Sequence, residues 1–104
     1  MKRGEVWEYT SADQQQHVRV IVISTDAFSD DPRTNPVCAD IVRRPVGVAS
    51  PLLVPLADPD PLGGVIDVTS IRPCSRGRLS GPLGMLTGVT MARLNDALAA
   101  FLLD

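Results

Sequence analysis

The chain has 104 residues, 44% of them hydrophobic and 21% charged, with a formal net charge of -2. That length suits one domain over residues 1–104, and the composition excludes a disordered or fibrous chain. The charge argues against a general nucleic-acid binder, whose surface is strongly basic, and no apolar run reaches the roughly 18 residues a membrane helix needs.

The opening Met1-Lys2-Arg3-Gly4-Glu5 has charges but no apolar stretch after them, unlike a secretory leader. Glu5–Thr10 reads as a strand in which Glu5, Trp7 and Tyr9 alternate with Val6, Glu8 and Thr10, so both aromatics share one face. The polar run Ser-Ala-Asp-Gln-Gln-Gln at 11–16 reads as a hairpin loop. Val18–Ser24 follows, and its four β-branched residues Val20 to Ile23 predict a central strand buried on both faces. Thr25–Pro36 is polar and predicts an exposed loop with one helical turn after Asp26. Val37–Val42 is a third strand, ended by Arg43, Arg44 and Pro45.

Leu52–Leu56 predicts a short strand between Pro51 and the Asp58-Pro59-Asp60-Pro61 turn, where each X-Pro step disfavours helix. Gly63-Gly64 opens the apolar strand Val65–Val68. Thr69–Leu79 is mixed and polar, and Pro82–Thr87 predicts the last strand. A helix closes the chain. Thr87 suits its N-cap, and Met91, Leu94, Leu98, Phe101 and Leu102 recur as an apolar stripe spent on packing. The sum is a mainly β fold with a C-terminal helix: a curved antiparallel sheet or small open barrel with the helix packed on it.

Three residue types bear on chemistry. Nine of the ten basic residues are Arg, whose planar fork suits phosphate and carboxylate, although a GC-rich genome would produce the same bias. Cys38 and Cys74 lie far apart in the chain and read as reduced thiols of a cytoplasmic protein. With His17 the single imidazole, no metal-ligand spacing is present, and neither metal nor cofactor is expected.

The order of these pieces resembles the MazF/PemK toxins of type II toxin–antitoxin systems, the mRNA interferases. Met1-Lys2-Arg3-Gly4-Glu5-Val6-Trp7 is similar to the usual start of that family. Val20-Ile21-Val22-Ile23-Ser24 sits at its buried second strand, and Asp60-Pro61-Leu62-Gly63-Gly64-Val65-Ile66 at the approach to a later core strand. Ile71-Arg72 followed by Arg78-Leu79, then Gly84, Met91, Leu94 and Ala97-Leu98, complete the likeness. The resemblance implies an SH3-like barrel with a C-terminal helix, of the kind shared by MazF and CcdB toxins. It implies a homodimer, a cognate antitoxin partner and metal-independent cleavage of single-stranded RNA through attack by the RNA's own 2′-hydroxyl.

That reaction needs a base for the 2′-hydroxyl, an acid for the leaving 5′-oxygen, and donors for the charge growing on phosphoryl oxygens. The family carries an Arg-Pro pair at the start of its second strand. Ungapped alignment sets Val18 at the Arg and Arg19 at the Pro, so Arg19 faces the other way unless a bulge in the strand turns it back. Arg19 and His17 are the candidate catalytic residues, with Arg43, Arg44, Trp7, Arg72 and Arg78 as RNA contacts; Arg76 lies in the cluster with the last two. The family's Ser or Thr at the end of the third strand is Val42 here, with Ser24, Thr25 and Ser50 as substitutes between which the sequence does not choose. Two other readings stay open. One is a degenerate relative that binds RNA or antitoxin without cutting. The other is a CcdB-like gyrase inhibitor, although the ending Phe101-Leu102-Leu103-Asp104 lacks the Trp expected near such a C-terminus.

Overall fold

Alternation in the first strand governs how the sheet is built: Val6 on one side and Trp7 and Tyr9 on the other each need cover. The computed structural model describes residues 1–43, 50–56 and 63–103. In chain order it contains β1 (Glu5–Thr10), β2 (His17–Val22), α1 (Asp26–Asp30), β3 (Val37–Val42), β4 (Leu53–Pro55), β5 (Val65–Pro73), β6 (Leu79–Met85) and α2 (Gly88–Leu102). A turn of 3-10 helix, Arg76–Arg78, leads into β6. The strands form one antiparallel sheet in the order β4-β5-β3-β2-β1-β6.

Cross-strand partners share a face, so the register sorts the side chains. Val6 lies opposite Ile21, Ile21 opposite Ala39, and Ile41 opposite Ile66. These residues meet Leu94, Ala97 and Leu98 of α2 in the main core. The second face carries Val20, Val22, Cys38 and Cys74, with Trp7, Tyr9, Val18 and Leu79 packed against them. β2 is therefore buried on both sides, as four consecutive β-branched residues require. Its pairing ends at Val22, two residues before the expected end at Ser24, because Ile23 and Ser24 both turn their amides onto the Val37 carbonyl.

Thr87 caps α2 through its hydroxyl, which accepts from the Thr90 amide. The predicted stripe needs correction at its C-terminal end. Leu94 and Leu98 are buried, but Phe101 is 40% and Leu102 59% exposed, and Leu102 lines an apolar cleft with Phe28, Val37 and Ile71. The strand that opens at Val65 does not stop at Val68. β5 continues to Pro73, because Ser70 Oγ accepts the Asp40 amide at a break in register and the ladder resumes at Cys38 and Arg72. The last strand begins at Leu79 and ends at Met85, so it opens and closes sooner than the sequence suggested.

Cys38 and Cys74, far apart in sequence, are neighbours on the second face, buried and free of any disulfide. The hydrogen bond that the Cys38 thiol donates to Cys74, reinforced by burial, pushes Cys38 well above its ordinary pKa. Gly64 is required where β5 starts. Its φ is +120°, and a Cβ there would stand 2.5 Å from the Val42 carbonyl oxygen.

Candidate functional site

The β1–β2 hairpin carries the site. Its six-residue loop closes with Thr10 opposite His17, and two residues further on Glu8 lies opposite Arg19. Alternation then sets Glu8, Thr10, His17 and Arg19 on one face of the sheet, the face that α2 covers at its other end. Among the described residues that cover ends beyond Ile21 and Ile41, and a cleft of about 610 Å³ begins. Glu8, His17, Arg19 and Arg43 line it, together with Val18, Ile41, Val42 and Gly63. A second cleft, about 560 Å³, lies past the hairpin and is lined by Thr10, His17, Arg78 and Ser80 among others. His17 borders both.

His17 is held at one ring nitrogen. Its Nδ1 lies 3.2 Å from Thr10 Oγ1 and 3.2 Å from Glu8 Oε1. The imidazole side chain is 57% exposed, so a ligand in either cleft reaches it. Arg19 and Arg43 place two guanidinium groups in the same cleft, the donors a phosphodiester requires.

The candidate residues are thus divided. His17, Arg19 and Arg43 meet at one cleft, and Arg78 joins His17 at the second. Trp7 and Arg72 lie on the opposite face. Trp7 packs against the second core, with Gly81 close under its ring. Arg72 donates to Asp40 at 2.7 Å and stacks over the Tyr9 ring at 5.5 Å. Arg76 donates to the carbonyls of Ser29, Asp31 and Thr34, which ties the 3-10 turn to the end of α1. Arg44 falls outside the described residues.

The bulge that would turn Arg19 to the face of the family's Arg is not present. β2 pairs residue for residue with β1 from His17 to Ile21 and with β3 from Arg19 to Val22. Val18 occupies the face of Tyr9, and Arg19 stays with Glu8. The hydroxyl substitutes considered for Val42 are taken up locally. Ser24 accepts the Val37 amide, Thr25 caps α1, and Ser50 accepts the Leu52 amide. Thr10 supplies a hydroxyl beside His17 instead, and Glu8 a carboxylate. Sequence reasoning passed over both. The signal was the hairpin, since a loop at 11–16 closes on the pair Thr10 and His17.

Among the described residues no group of three or more His, Cys, Asp or Glu side chains is placed to hold a metal ion. None of the described helices is long and apolar enough to cross a membrane.

The fold, a six-stranded antiparallel sheet with a C-terminal helix, is that of solved toxin structures. An endoribonuclease in complex with its cognate antitoxin, from a mycobacterial species, superposes with a TM-score of 0.85 at 23% identity, over 96% of this chain and 92% of that one. MazF from Deinococcus radiodurans matches with a TM-score of 0.79 at 18% identity, over 98% and 96% of the two chains. A MazE–MazF structure from the same organism matches at 0.78 and 16%, over 98% and 94%. No protein of curated function matches the sequence significantly. Residues 2–102 match the model of the PemK-like, MazF-like toxins of type II toxin–antitoxin systems, and the chain belongs to that family.

Proposed function

We propose that the protein is an endoribonuclease toxin that cleaves single-stranded RNA in the cleft lined by His17, Arg19 and Arg43. One observation carries this reading. In a chain of this family, the single imidazole and two guanidinium groups converge on one open cleft at the exposed end of the sheet. His17 takes the proton of a 2′-hydroxyl. The 2′-oxygen attacks phosphorus, the bond from phosphorus to the 5′-oxygen breaks, and that oxygen takes a proton from water in the cleft, to which the His17 imidazolium returns the one it gained. Arg19 and Arg43 bind the phosphoryl oxygens and hold the charge that grows on them. The products are a cyclic phosphate and a 5′-hydroxyl end, and no metal takes part. A cognate antitoxin restrains the toxin, and two copies of the chain form the working dimer.

The test is cleavage of mixed single-stranded RNA in EDTA with mapped ends, by wild type, Arg19→Ala and His17→Ala. Loss of one charge-stabilising group costs about 10²- to 10³-fold in rate. Equal cutting by wild type and both variants refutes this assignment of the site.

A second reading is a toxin relative that binds RNA or antitoxin without cutting. The unbroken register of β2 and the loss of a hydroxyl at Val42 favour it. Intact RNA binding without cleavage, even at high protein concentration, would select it.

A further inference from the structure

We infer that Glu8, assisted by Thr10, is the positioning residue of this cleft: the two hold Nδ1 of His17 and leave Nε2 to meet the RNA. The inference rests on the endoribonuclease reading for its consequence, but its geometry stands independently.

Both groups come from β1, and both reach the same atom. Thr10 stands directly across the ladder from His17, and Glu8 diagonally across on the same face. Oγ1 of Thr10 and Oε1 of Glu8 each lie 3.2 Å from Nδ1. Thr10 makes the hydrogen bond to Nδ1, and the Glu8 carboxylate beside it favours the tautomer with its proton on Nδ1, because a lone pair there would face the negative carboxylate oxygen. Nε2 then carries the lone pair, on the opposite side of the ring. It is the atom left to take the proton of a 2′-hydroxyl. The proton moves from oxygen to Nε2, the ring becomes an imidazolium, and the Glu8 carboxylate lies beside the new charge.

Arg19 stands directly opposite Glu8, so the carboxylate has a competing partner on the same face, yet its contact is with His17. In the free protein that contact contributes little, because the His17 and Glu8 side chains are 57% and 38% exposed and water screens them. RNA lying across the cleft displaces that water and strengthens the pair at the moment the proton moves. Arg19 and Arg43 would then be left to the phosphate. The arrangement needs no residue at Val18, where the family carries its Arg.

His17 is the single imidazole, so its ring nitrogens can be read without assignment ambiguity by 15N NMR at a pH where the ring is neutral. The wild type is expected to show mainly the Nδ1–H form. Glu8→Ala should move it toward the Nε2–H form that free imidazoles prefer, and Thr10→Val should move it less. A wild-type ring that is mainly Nε2–H, or one that Glu8→Ala leaves unchanged, overturns the inference whatever the protein does to RNA. The second arm measures cleavage of an oligonucleotide carrying one mapped site. Glu8→Ala should lower kcat roughly 10- to 100-fold with KM within about twofold, and should add nothing in a His17→Ala background. Equal losses in both backgrounds would assign Glu8 a structural role and overturn the inference. Wild type that shows the Nδ1–H form but cuts no RNA would sink the endoribonuclease reading and leave the positioning geometry standing.

Discussion

Replacing Gly64 by Ala tests the part of the fold that supports the cleft floor. The added Cβ would stand 2.5 Å from the Val42 carbonyl oxygen, where an ordinary contact needs more than 3 Å. That oxygen belongs to backbone, in the strand end that carries Arg43, so it has no flexible side chain's freedom to move aside. The φ of +120° adds a second cost, since a residue with a Cβ is strained there. Strain of this kind costs about 1–3 kcal/mol, and the clash brings the expected loss to about 2–4 kcal/mol. For a domain of this size that lowers Tm by roughly 10–20 °C. Gly77→Ala is the control, because nothing lies within 4 Å of a Cβ there. It should be neutral or stabilise by up to about 1 kcal/mol. Urea unfolding followed by the fluorescence of Trp7, the only Trp, measures both variants at one fixed protein concentration. If Gly64→Ala unfolds at the same midpoint as Gly77→Ala, the close approach of β5 to the Val42 carbonyl is wrong.

Three further outcomes are expected. Leu94→Ala removes a fully buried side chain and should cost about 3–5 kcal/mol, whereas Leu102→Ala, 59% exposed, should stay within about 0.5 kcal/mol; similar midpoints for the two would contradict the placement of α2. Cys38 and Cys74 are buried, and Cys38 ionises less readily than a free thiol, so a thiol reagent should modify the pair only as fast as the protein unfolds; rapid labelling at native midpoints would refute their burial. The side chain of Arg33 bonds the Asp31 carboxylate and holds its pKa below the ordinary 3.8. A depressed folded pKa gives stability that is complete above the unfolded value and is lost as pH falls through the folded one. Below about pH 4 the wild type should therefore lose stability that Asp31→Asn does not lose, and parallel acid profiles would remove Asp31 from the account.

Periodicity made the strands legible where cover is simple. Four β-branched residues in a row identify a two-sided strand without further information, and Val20, Ile21 and Val22 are fully buried. The N-cap at Thr87 was legible because a capping hydroxyl acts within three residues of itself. Arg43 and His17 could be suspected from their positions at strand ends. Phe101 and Leu102 misled, because an apolar stripe records what a helix offers and not whether the elements facing it close over it. Thr69–Pro73 misled for the opposite reason: its polar residues are part of the ladder, with Ser70 Oγ taking the Asp40 amide where regular pairing fails.

What the sequence determined by itself is local or periodic: strand faces, turn positions, and the helix and its cap. Those depend on residue type and on a spacing of a few positions, which the chain carries in one dimension. Which groups meet was decided by the register between strands. Pairing Thr10 with His17 and Glu8 with Arg19 brings a carboxylate and a hydroxyl to one imidazole nitrogen, and the end of the helix's cover leaves that face open as a cleft. The same folding joins Cys38 to Cys74 and Arg72 to Asp40, contacts across more than 30 residues that no short-range pattern encodes.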